Sequence, residues 1–103
     1  MPCKLIIAKD AKADMDHILS YMIHELKNPD AAKAFHNDVK AAYRHIAQNP
    51  WMFALCENGL LQRNGYRKIV IKNHILVYRY TEETNTAVVL RAFYGRMDYL
   101  RCM

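Results

Sequence analysis

Cationic and phenolic side chains are concentrated in one stretch near the end of the chain, between Tyr66 and Tyr99. An arginine guanidinium is planar and permanently charged, so it can bind a phosphate or a carboxylate with two parallel hydrogen bonds. A convergent set of such groups would suit a polyanion or an acidic peptide, and it could also stabilise the charge that develops in phosphoryl transfer. The candidates are Arg67, Lys68, Lys72, Arg79, Arg91, Tyr94, Arg96 and Tyr99. Spacing alone leaves two interpretations open, a binding site or solvated strand residues.

Other kinds of chemistry find little support in the sequence. His17 and His24 are seven residues apart on a predicted helix, but no third ligand follows at a suitable spacing, so we interpret them as surface or partly buried imidazoles. Cys3, Cys56 and Cys102 are odd in number and widely spaced, which fits neither a disulfide framework nor a zinc site. Glycine-rich nucleotide-binding patterns and hydrolase motifs do not occur. The sequence therefore predicts no metal and no cofactor.

The basic stretch alternates apolar and polar residues with a period of two, which is typical of β-strands. We predict strands over Tyr66–Lys72, Ile75–Thr81 and Ala87–Tyr94, paired as an antiparallel meander, and Lys4–Ala8 could add a fourth strand. Alternation then places side chains on opposite faces. One face carries Ile75, Val77 and Arg79, the other carries Leu76, Tyr78 and Tyr80, and in the last strand Arg91 shares its face with Val89 and Phe93.

Between the first strand and the meander the period changes to that of helices. Apolar residues recur at helical spacing from Met15 to Leu26, with Asp10 as the expected N-cap, and again from Ala31 to Ile46. The sequence Asn28-Pro29-Asp30 suits the start of the second helix. Two helices joined by about three residues form a hairpin that must bury its apolar face, and the sheet is the available partner. The segment that follows is the least periodic, and we expect Trp51, Phe53 and Leu55 to pack against the core.

Length and composition limit the possibilities further. A chain of 103 residues with 52% apolar and 24% charged residues is typical of one globular domain, spanning residues 1–103. The net charge is +5, and much of the excess falls in the second half, which favours an anionic partner. No apolar segment approaches the length that spans a bilayer, and no secretory signal is visible, so we expect a reduced, cytoplasmic protein without a membrane partner.

The order of these segments resembles the RelE/ParE superfamily of small bacterial toxins, the type II toxin–antitoxin proteins that are often called plasmid stabilisation proteins. The resemblance covers nearly the whole chain. Ile75–Arg79 is similar to the (I/L)xYR strand of that family, Glu82–Asn85 to its acidic turn, and Phe93–Tyr99 to its closing (H)GRRDY/W segment, with Met97 in place of a common second arginine. The fold that the resemblance implies, two helices on an antiparallel sheet of three to four strands, agrees with the α+β fold predicted from periodicity.

The resemblance also implies a choice between two targets. RelE-like members cleave mRNA on the ribosome without a metal, and ParE-like members inhibit DNA gyrase. RelE-like nucleases carry an arginine where this chain has Ile75, so the ParE-like branch is favoured. If the protein were RelE-like, the catalytic candidates would be Lys68, Arg79, Arg96 and Tyr99, although Tyr99 lies closer to Arg96 than the nuclease spacing suggests. A third alternative is a binding module that keeps the fold without toxicity.

Partners follow from the same resemblance. A cognate antitoxin would neutralise the toxin, and operator DNA would be contacted only indirectly, through the antitoxin. The residues proposed to bind the target or the antitoxin are Arg67, Arg79, Arg91, Tyr94 and Arg96. Of these, Arg91 and Arg96 are expected to be exposed, so that replacing both with alanine should change stability by no more than about 0.5–1 kcal/mol.

Overall fold

Two helices pack on one face of a four-stranded sheet. The computed structural model describes residues 2–53, 55–56 and 63–94. In chain order the elements are β1 (Lys4–Ile7), α1 (Lys9–Ser20), a π-helical turn (Tyr21–Glu25), α2 (Pro29–Gln48), β2 (Tyr66–Ile71), β3 (His74–Thr81), a short 3-10 turn (Glu82–Thr84) and β4 (Thr86–Tyr94). The predicted α+β class and the helical hairpin are confirmed.

The strand order in the sheet is β1-β4-β3-β2. Strands β2, β3 and β4 form the predicted antiparallel meander, whereas β1 pairs with β4 in parallel, with Lys4 opposite Thr86 and Ile7 opposite Val89. Parallel neighbours need a long crossover connection, and the chain supplies it with the helical hairpin and the segment that leads to β2. The sheet is therefore mixed, a feature that the period of the strands did not predict.

The helix starts differ in how well the sequence located them. Asn28 caps α2 as predicted, because its Oδ1 accepts a hydrogen bond from the Ala31 amide at 3.1 Å and Pro29 occupies the first helical position. The N-cap predicted at Asp10 is wrong, since α1 begins at Lys9 after an extended Ala8 and Asp10 lies inside the first turn. A carboxylate there still complements the helix dipole. Within the described part of the chain, no helix is long and apolar enough to cross a membrane.

The main core lies between the helices and the face of the sheet that we call the inner face. Its buried side chains include Phe35, Val39 and Ile46 from α2 and Leu76 and Tyr78 from β3.

Tyr78 links the centre of the sheet to the end of α2. Its side chain is fully buried, and its hydroxyl donates a 2.8 Å hydrogen bond to the Pro50 carbonyl oxygen. Desolvation by burial raises the pKa of Tyr78 to about 12, although the nearby Arg67 guanidinium acts in the opposite direction. The phenol therefore stays neutral and keeps its donor proton at physiological pH.

A second, smaller cluster lies on the opposite face of the sheet, which we call the outer face. Ile75, Val77 and Phe93 are buried there against Cys56, with Tyr66 packed at the side. The predicted alternation along β3 is confirmed, since Ile75 and Val77 face outward while Leu76 and Tyr78 face the helices. The outer face is thus partly covered by apolar contacts.

The register between β3 and β4 shifts once. Val77 lies opposite Arg91, but the next residue, Tyr78, lies opposite Val89, so Leu90 is an extra residue in β4. An extra residue of this kind forms a β-bulge, which reverses the alternation of side chains beyond it. The bulge changes the face on which the last residues of β4 lie, and Arg91 is one of these residues.

Candidate functional site

The structure separates the predicted cationic and phenolic residues into different environments. Of the candidates, six lie within the described residues, namely Arg67, Lys68, Lys72, Arg79, Arg91 and Tyr94. Lys72 lies in the turn after β2, where its Nζ is 3.7 Å from Asp38 Oδ2 in α2. Arg96 and Tyr99 lie outside the described residues. The described candidates do not converge on one point.

Lys68 and Arg79 share the outer face. Arg79 lies opposite Tyr66 and Lys68 lies opposite Val77, so the two cationic residues are diagonal neighbours on adjacent strands. Diagonal neighbours of this kind are within reach of one another's long side chains. Arg79 is exposed, and its guanidinium lies 5.9 Å from the centroid of the Tyr66 ring. This pair forms a small cationic patch that can bind a phosphate or a carboxylate.

Arg67 points to the inner face, because it lies opposite the inward-facing Tyr78. Its Nη1 donates a 2.6 Å hydrogen bond to the Phe53 carbonyl oxygen, and its guanidinium lies 5.1 Å from the centroid of the Trp51 ring. These contacts hold Arg67 against the segment that follows α2. It is therefore separated from Lys68 and Arg79 by the sheet.

Trp51 does not pack in the core as expected. Its side chain is 54% exposed, between the Arg67 guanidinium on one side and the Tyr80 ring, whose centroid lies 5.0 Å away in an edge-to-face arrangement. The sequence prediction is wrong here because a cation and a second aromatic ring hold the indole at the surface. Phe53 is half-buried, with its ring 6.2 Å from that of Tyr78, as expected.

The environment of Arg91 differs most clearly from the prediction. Its Nε and Nη2 donate hydrogen bonds of 2.7 and 3.0 Å to the two carboxylate oxygens of Asp14 in α1, and the Ala92 amide donates to Asp14 Oδ2 at 3.0 Å. Only 28% of the Arg91 side chain and 16% of the Asp14 side chain are exposed. The prediction that the Arg91 side chain is exposed and supports no structure is therefore wrong. Asp14 both neutralises the guanidinium and satisfies an amide on the edge of β4 beyond the end of β1.

The predicted face of Arg91 is also wrong in part. Val89 belongs to the inner cluster, whereas Phe93 belongs to the outer cluster. The bulge at Leu90 separates these two residues, so Arg91 lies with Phe93, whose ring centroid is 5.5 Å from its guanidinium, and not with Val89. Strict alternation gives the wrong face whenever a strand contains an extra residue.

Tyr94 lies at the mouth of a cleft between the end of α1 and the sheet. The cleft has a volume of about 400 Å³, and its lining is mainly apolar. Its lining residues are His17, Ile18, Tyr21, Met22, Leu26, His74 and Tyr94. The rim is exposed, with 55% of Tyr21, 56% of Leu26 and 62% of Tyr94 accessible to solvent.

His74 is the buried polar residue of this cleft, and the sequence analysis did not single it out. It is only 6% exposed, and its ring lies 4.5 Å from the Phe35 ring and 5.3 Å from the Tyr94 ring, measured between centroids. Its Nδ1 is buried and has no hydrogen-bond partner among the described residues. Desolvation by burial lowers the pKa of His74, so the imidazole is neutral at physiological pH. The sequence did contain a signal for this environment, because His74 precedes Leu76 and Tyr78 at a spacing of two and so shares their inward face.

The chemistry that these residues can perform is binding of anions. The described strands carry Lys68, Arg79 and Arg91 on one part of the outer face, and the Arg91 guanidinium is bound by Asp14, whereas Lys68 and Arg79 are diagonal neighbours. The neutral His74 lies on the other side of the sheet, against Phe35. Among the residues that the structure describes, no three histidine, cysteine or carboxylate side chains are close enough to hold a metal ion.

Comparison with solved structures supports the fold. The chain is similar to the ParDE system of Pseudomonas aeruginosa at 18% identity and a TM-score of 0.71, over 91% of this chain and 97% of that one. It is similar to a free Escherichia coli RelE carrying two arginine-to-alanine substitutions at 14% identity and a TM-score of 0.70, over 99% and 93% of the two chains. For the RelBE2 toxin–antitoxin complex of Mycobacterium tuberculosis the values are 19% identity, 0.65, 91% and 92%. At these identities the likeness concerns the fold.

A comparison with curated protein sequences gave no significant match. A family model gave one, over residues 5–99, which is most of the chain, and that model describes the ParE toxin of the type II toxin–antitoxin system parDE. The order of elements in the structure agrees with this match, since two helices pack on one face of the sheet, as in the RelE and ParE folds. The chain belongs to the ParE toxin family of type II toxin–antitoxin systems.

Proposed function

We propose that this protein is a growth-inhibiting toxin that acts on DNA gyrase and is neutralised by a cognate antitoxin. The observation that carries the choice of target is the environment of Ile75. Its side chain is only 8% exposed and packs with Val77 and Phe93 on the outer face. RelE-like nucleases, by resemblance, carry an arginine at this position. Here the position belongs to an apolar cluster, so the outer face lacks a charge that those nucleases place there.

A ribosome-dependent ribonuclease is the second candidate, because one observation favours it. Lys68 and Arg79 are diagonal neighbours on the outer face, next to Tyr66. Two cations near a phenol can stabilise the charge that develops on a phosphate in the transition state. Proton transfer would need a further group near the same phosphate. Arg96 and Tyr99 were the remaining candidates for such a nuclease, and they lie outside the described residues.

The proposal of an antitoxin partner rests on the family match and on the net charge of the chain. The structural neighbours include the RelBE2 complex and the ParDE system, each a toxin with its antitoxin. A net charge of +5 favours an anionic partner, and exposed apolar residues such as Tyr21 and Leu26 offer contacts to a segment that folds on binding. Contact with operator DNA would then pass through the antitoxin.

The test begins with expression of the protein in a bacterium that lacks its antitoxin. Growth should stop, with DNA damage signalling and no cleavage of mRNA, and growth should return when the antitoxin encoded beside the toxin is expressed as well. The purified protein should inhibit supercoiling of relaxed plasmid by gyrase. In a translating extract it should leave ribosome-bound mRNA intact.

Each other outcome points to a different function. Cleavage of ribosome-bound mRNA at defined codon positions, with gyrase unaffected, would replace the gyrase proposal with the ribonuclease. Normal growth with abundant folded protein would identify a non-toxic binding module of the same fold. Tight and specific binding of operator DNA by the isolated protein would contradict the proposed role of the antitoxin.

A further inference from the structure

An open polar pocket lies at the end of α2, beside the short turn that joins β3 to β4. Its volume is about 520 Å³. Gln48 and Asn49 line it from the helix end, Trp51 and Tyr80 supply two aromatic rings, and Glu82 supplies a carboxylate. None of these residues belongs to the cationic candidates, so the pocket is distinct from the outer-face pair.

The charge of the pocket favours a cation, although the chain as a whole carries +5. Of the described residues that line it, only Glu82 is charged. Glu82 is exposed, and its carboxylate forms no hydrogen bond or ion pair with any described residue. The last turn of a helix carries partial negative charge, and α2 extends over 20 residues to Gln48. A phosphate or a carboxylate in this pocket would meet repulsion from both sources, whereas a cation would be attracted by both.

The two rings suit a planar cation. Trp51 and Tyr80 pack edge to face with their centroids 5.0 Å apart, and 54% of the Trp51 side chain remains exposed. The Tyr80 hydroxyl donates a 2.8 Å hydrogen bond to Asn85 Oδ1, which holds the phenol in the wall of the pocket. Guanidinium groups are attracted to such rings, and Arg67 already makes this contact with Trp51 without lining the pocket.

A guanidinium fits these groups better than an ammonium. It is planar, so it can stack on an aromatic ring, and it can form two parallel hydrogen bonds with one carboxylate. A lysine ammonium is a compact point charge that lacks both properties. The carboxylate of Glu82 and the exposed surface of Trp51 and Tyr80 together match an arginine side chain.

We propose that this pocket binds an arginine side chain of the antitoxin, with its guanidinium against the two rings and paired with Glu82. The assignment rests on the proposed function, in which an antitoxin binds this toxin. The antitoxin is favoured over the target as the source because Tyr80 packs against the inner cluster, whereas Lys68 and Arg79 lie on the outer face. An acidic pocket on a basic toxin then favours antitoxins that place an arginine here and disfavours those that place a carboxylate here.

The first arm of the test uses the full-length toxin alone. N-acetyl-arginine amide mimics an arginine within a peptide, and N-acetyl-citrulline amide has nearly the same shape with a neutral urea group. Trp51 is the only tryptophan of the chain, so its fluorescence reports on the pocket. The arginine probe should bind about tenfold more tightly than the citrulline probe, as expected for an exposed ion pair together with a cation–π contact.

Two matched variants assign this preference to the pocket. Glu82→Gln should weaken binding of the arginine probe about fivefold and leave binding of the citrulline probe unchanged, because it removes the charge and keeps the shape. Glu83→Gln changes the next exposed carboxylate of the same turn, which does not line the pocket, and should bind both probes like the parent.

The second arm identifies the occupant. In the complex with the antitoxin that restores growth, the arginine probe should no longer shift the indole N–H resonance of Trp51 in isotope-labelled toxin. Each arginine of the antitoxin is then replaced by glutamine and its affinity is measured with the parent toxin and with Glu82→Gln. Replacement of one arginine should weaken the parent complex about tenfold and the Glu82→Gln complex much less, because the two changes remove the same contact.

Equal binding of the two probes, or an unchanged preference in Glu82→Gln, would overturn the pocket as an arginine site. A probe that still binds in the antitoxin complex, or an antitoxin in which no arginine is coupled to Glu82, would overturn the occupant. Gyrase inhibition and the return of growth are measured separately with the parent toxin, so failure of either arm is distinct from failure of the proposed function.

Discussion

Asp14 shows how one side chain can determine the role of another that is distant in sequence. It accepts hydrogen bonds from two nitrogens of Arg91 and from the Ala92 amide. Charged groups that are partly removed from water need partners, and removal of one partner leaves the other poorly solvated. Arg91 therefore contributes to the stability of the edge of β4, whatever its role in binding.

The first prediction follows from this ion pair. Asp14→Ala should lower the free energy of unfolding by about 1.5–3 kcal/mol, the range for hydrogen bonds to charged groups, and Arg91→Ala should also be destabilising. The two effects should not add in the double variant, because both remove the same contact. Urea denaturation of the four proteins measures the coupling. Asp16→Ala, which removes an exposed carboxylate two residues away, is the matched control and should change stability little. Additive effects of Asp14 and Arg91 would show that the contact is not formed in solution.

The second prediction concerns His74 and pH. Its pKa is lowered in the folded protein by burial, so the unfolded chain takes up the proton first as the pH falls. Stability is therefore fully present above the ordinary histidine pKa of about 6.5 and is lost as the pH falls below it. Other titratable residues that line the cleft are His17, Tyr21 and Tyr94.

Thermal melting between pH 7.5 and about pH 5 measures this effect, since that window crosses the ordinary histidine pKa. The melting temperature of the parent protein should fall more steeply with acid than that of His74→Phe. His17→Phe, which removes the exposed imidazole of the same cleft, is the control and should follow the parent. Parallel curves for the parent and His74→Phe would mean that His74 is protonated equally easily in the folded and unfolded states.

At the scale of elements, α2 is specified mainly by local interactions. Asn28 caps its first turn, Pro29 lies where a missing amide proton costs nothing, and Asp30 complements the dipole. Lys27, just before the cap, has a φ of 51°, a left-handed conformation that ends the preceding π-helical turn. The tight connection between the helices depends on Lys27 and Asn28.

The third prediction tests the cap. Asn28→Ala should lower the free energy of unfolding by about 1 kcal/mol, because the Ala31 amide loses the acceptor that now lies 3.1 Å away. Lys33→Ala, an exposed change in the body of the same helix, is the matched control and should be nearly neutral. Chemical denaturation of both variants gives the comparison. An Asn28→Ala variant as stable as the control would indicate that water replaces the cap at no cost.

At the scale of the molecule, the sheet divides the candidate residues between its two faces. Arg67 is held on the inner face by the Phe53 carbonyl, and Lys68 and Arg79 lie on the outer face. A single flat partner cannot contact both sets at once. We therefore take the outer-face pair, which includes the exposed Arg79, as the candidate site for the target.

The fourth prediction separates these surfaces. Arg79→Ala removes an exposed charge and should change stability by no more than about 0.5 kcal/mol. Growth inhibition should weaken while affinity for the antitoxin is kept. Lys40→Ala removes an exposed charge from α2 and is the matched control, with toxicity expected to be unchanged. Growth curves at equal expression levels, together with thermal melting, measure both effects. If Arg79→Ala stopped growth as well as the parent, the outer-face pair would have to be withdrawn as the target site.

The sequence by itself determined the elements of this protein. Periods of two and 3.6 located the meander and the hairpin, and the Asn28 cap was predicted to the residue, because strand alternation and helix capping depend on residues close together in the chain. The family likeness also rested on local segments such as Ile75–Arg79. These features are specified before any distant contact forms.

Tertiary structure decided the environment of nearly every candidate residue. The parallel position of β1, the bulge at Leu90 and the exposure of Trp51 all depend on how distant segments pack. The Arg91 contact joins residues 77 positions apart, and the cleft at His74 forms only where α1 meets the sheet. Such contacts depend on core packing and on the pairing of buried polar groups. Both contribute free energy only when distant parts of the chain are folded together. For this reason residue types predicted a basic surface, whereas the fold determined which of those charges are accessible to a partner.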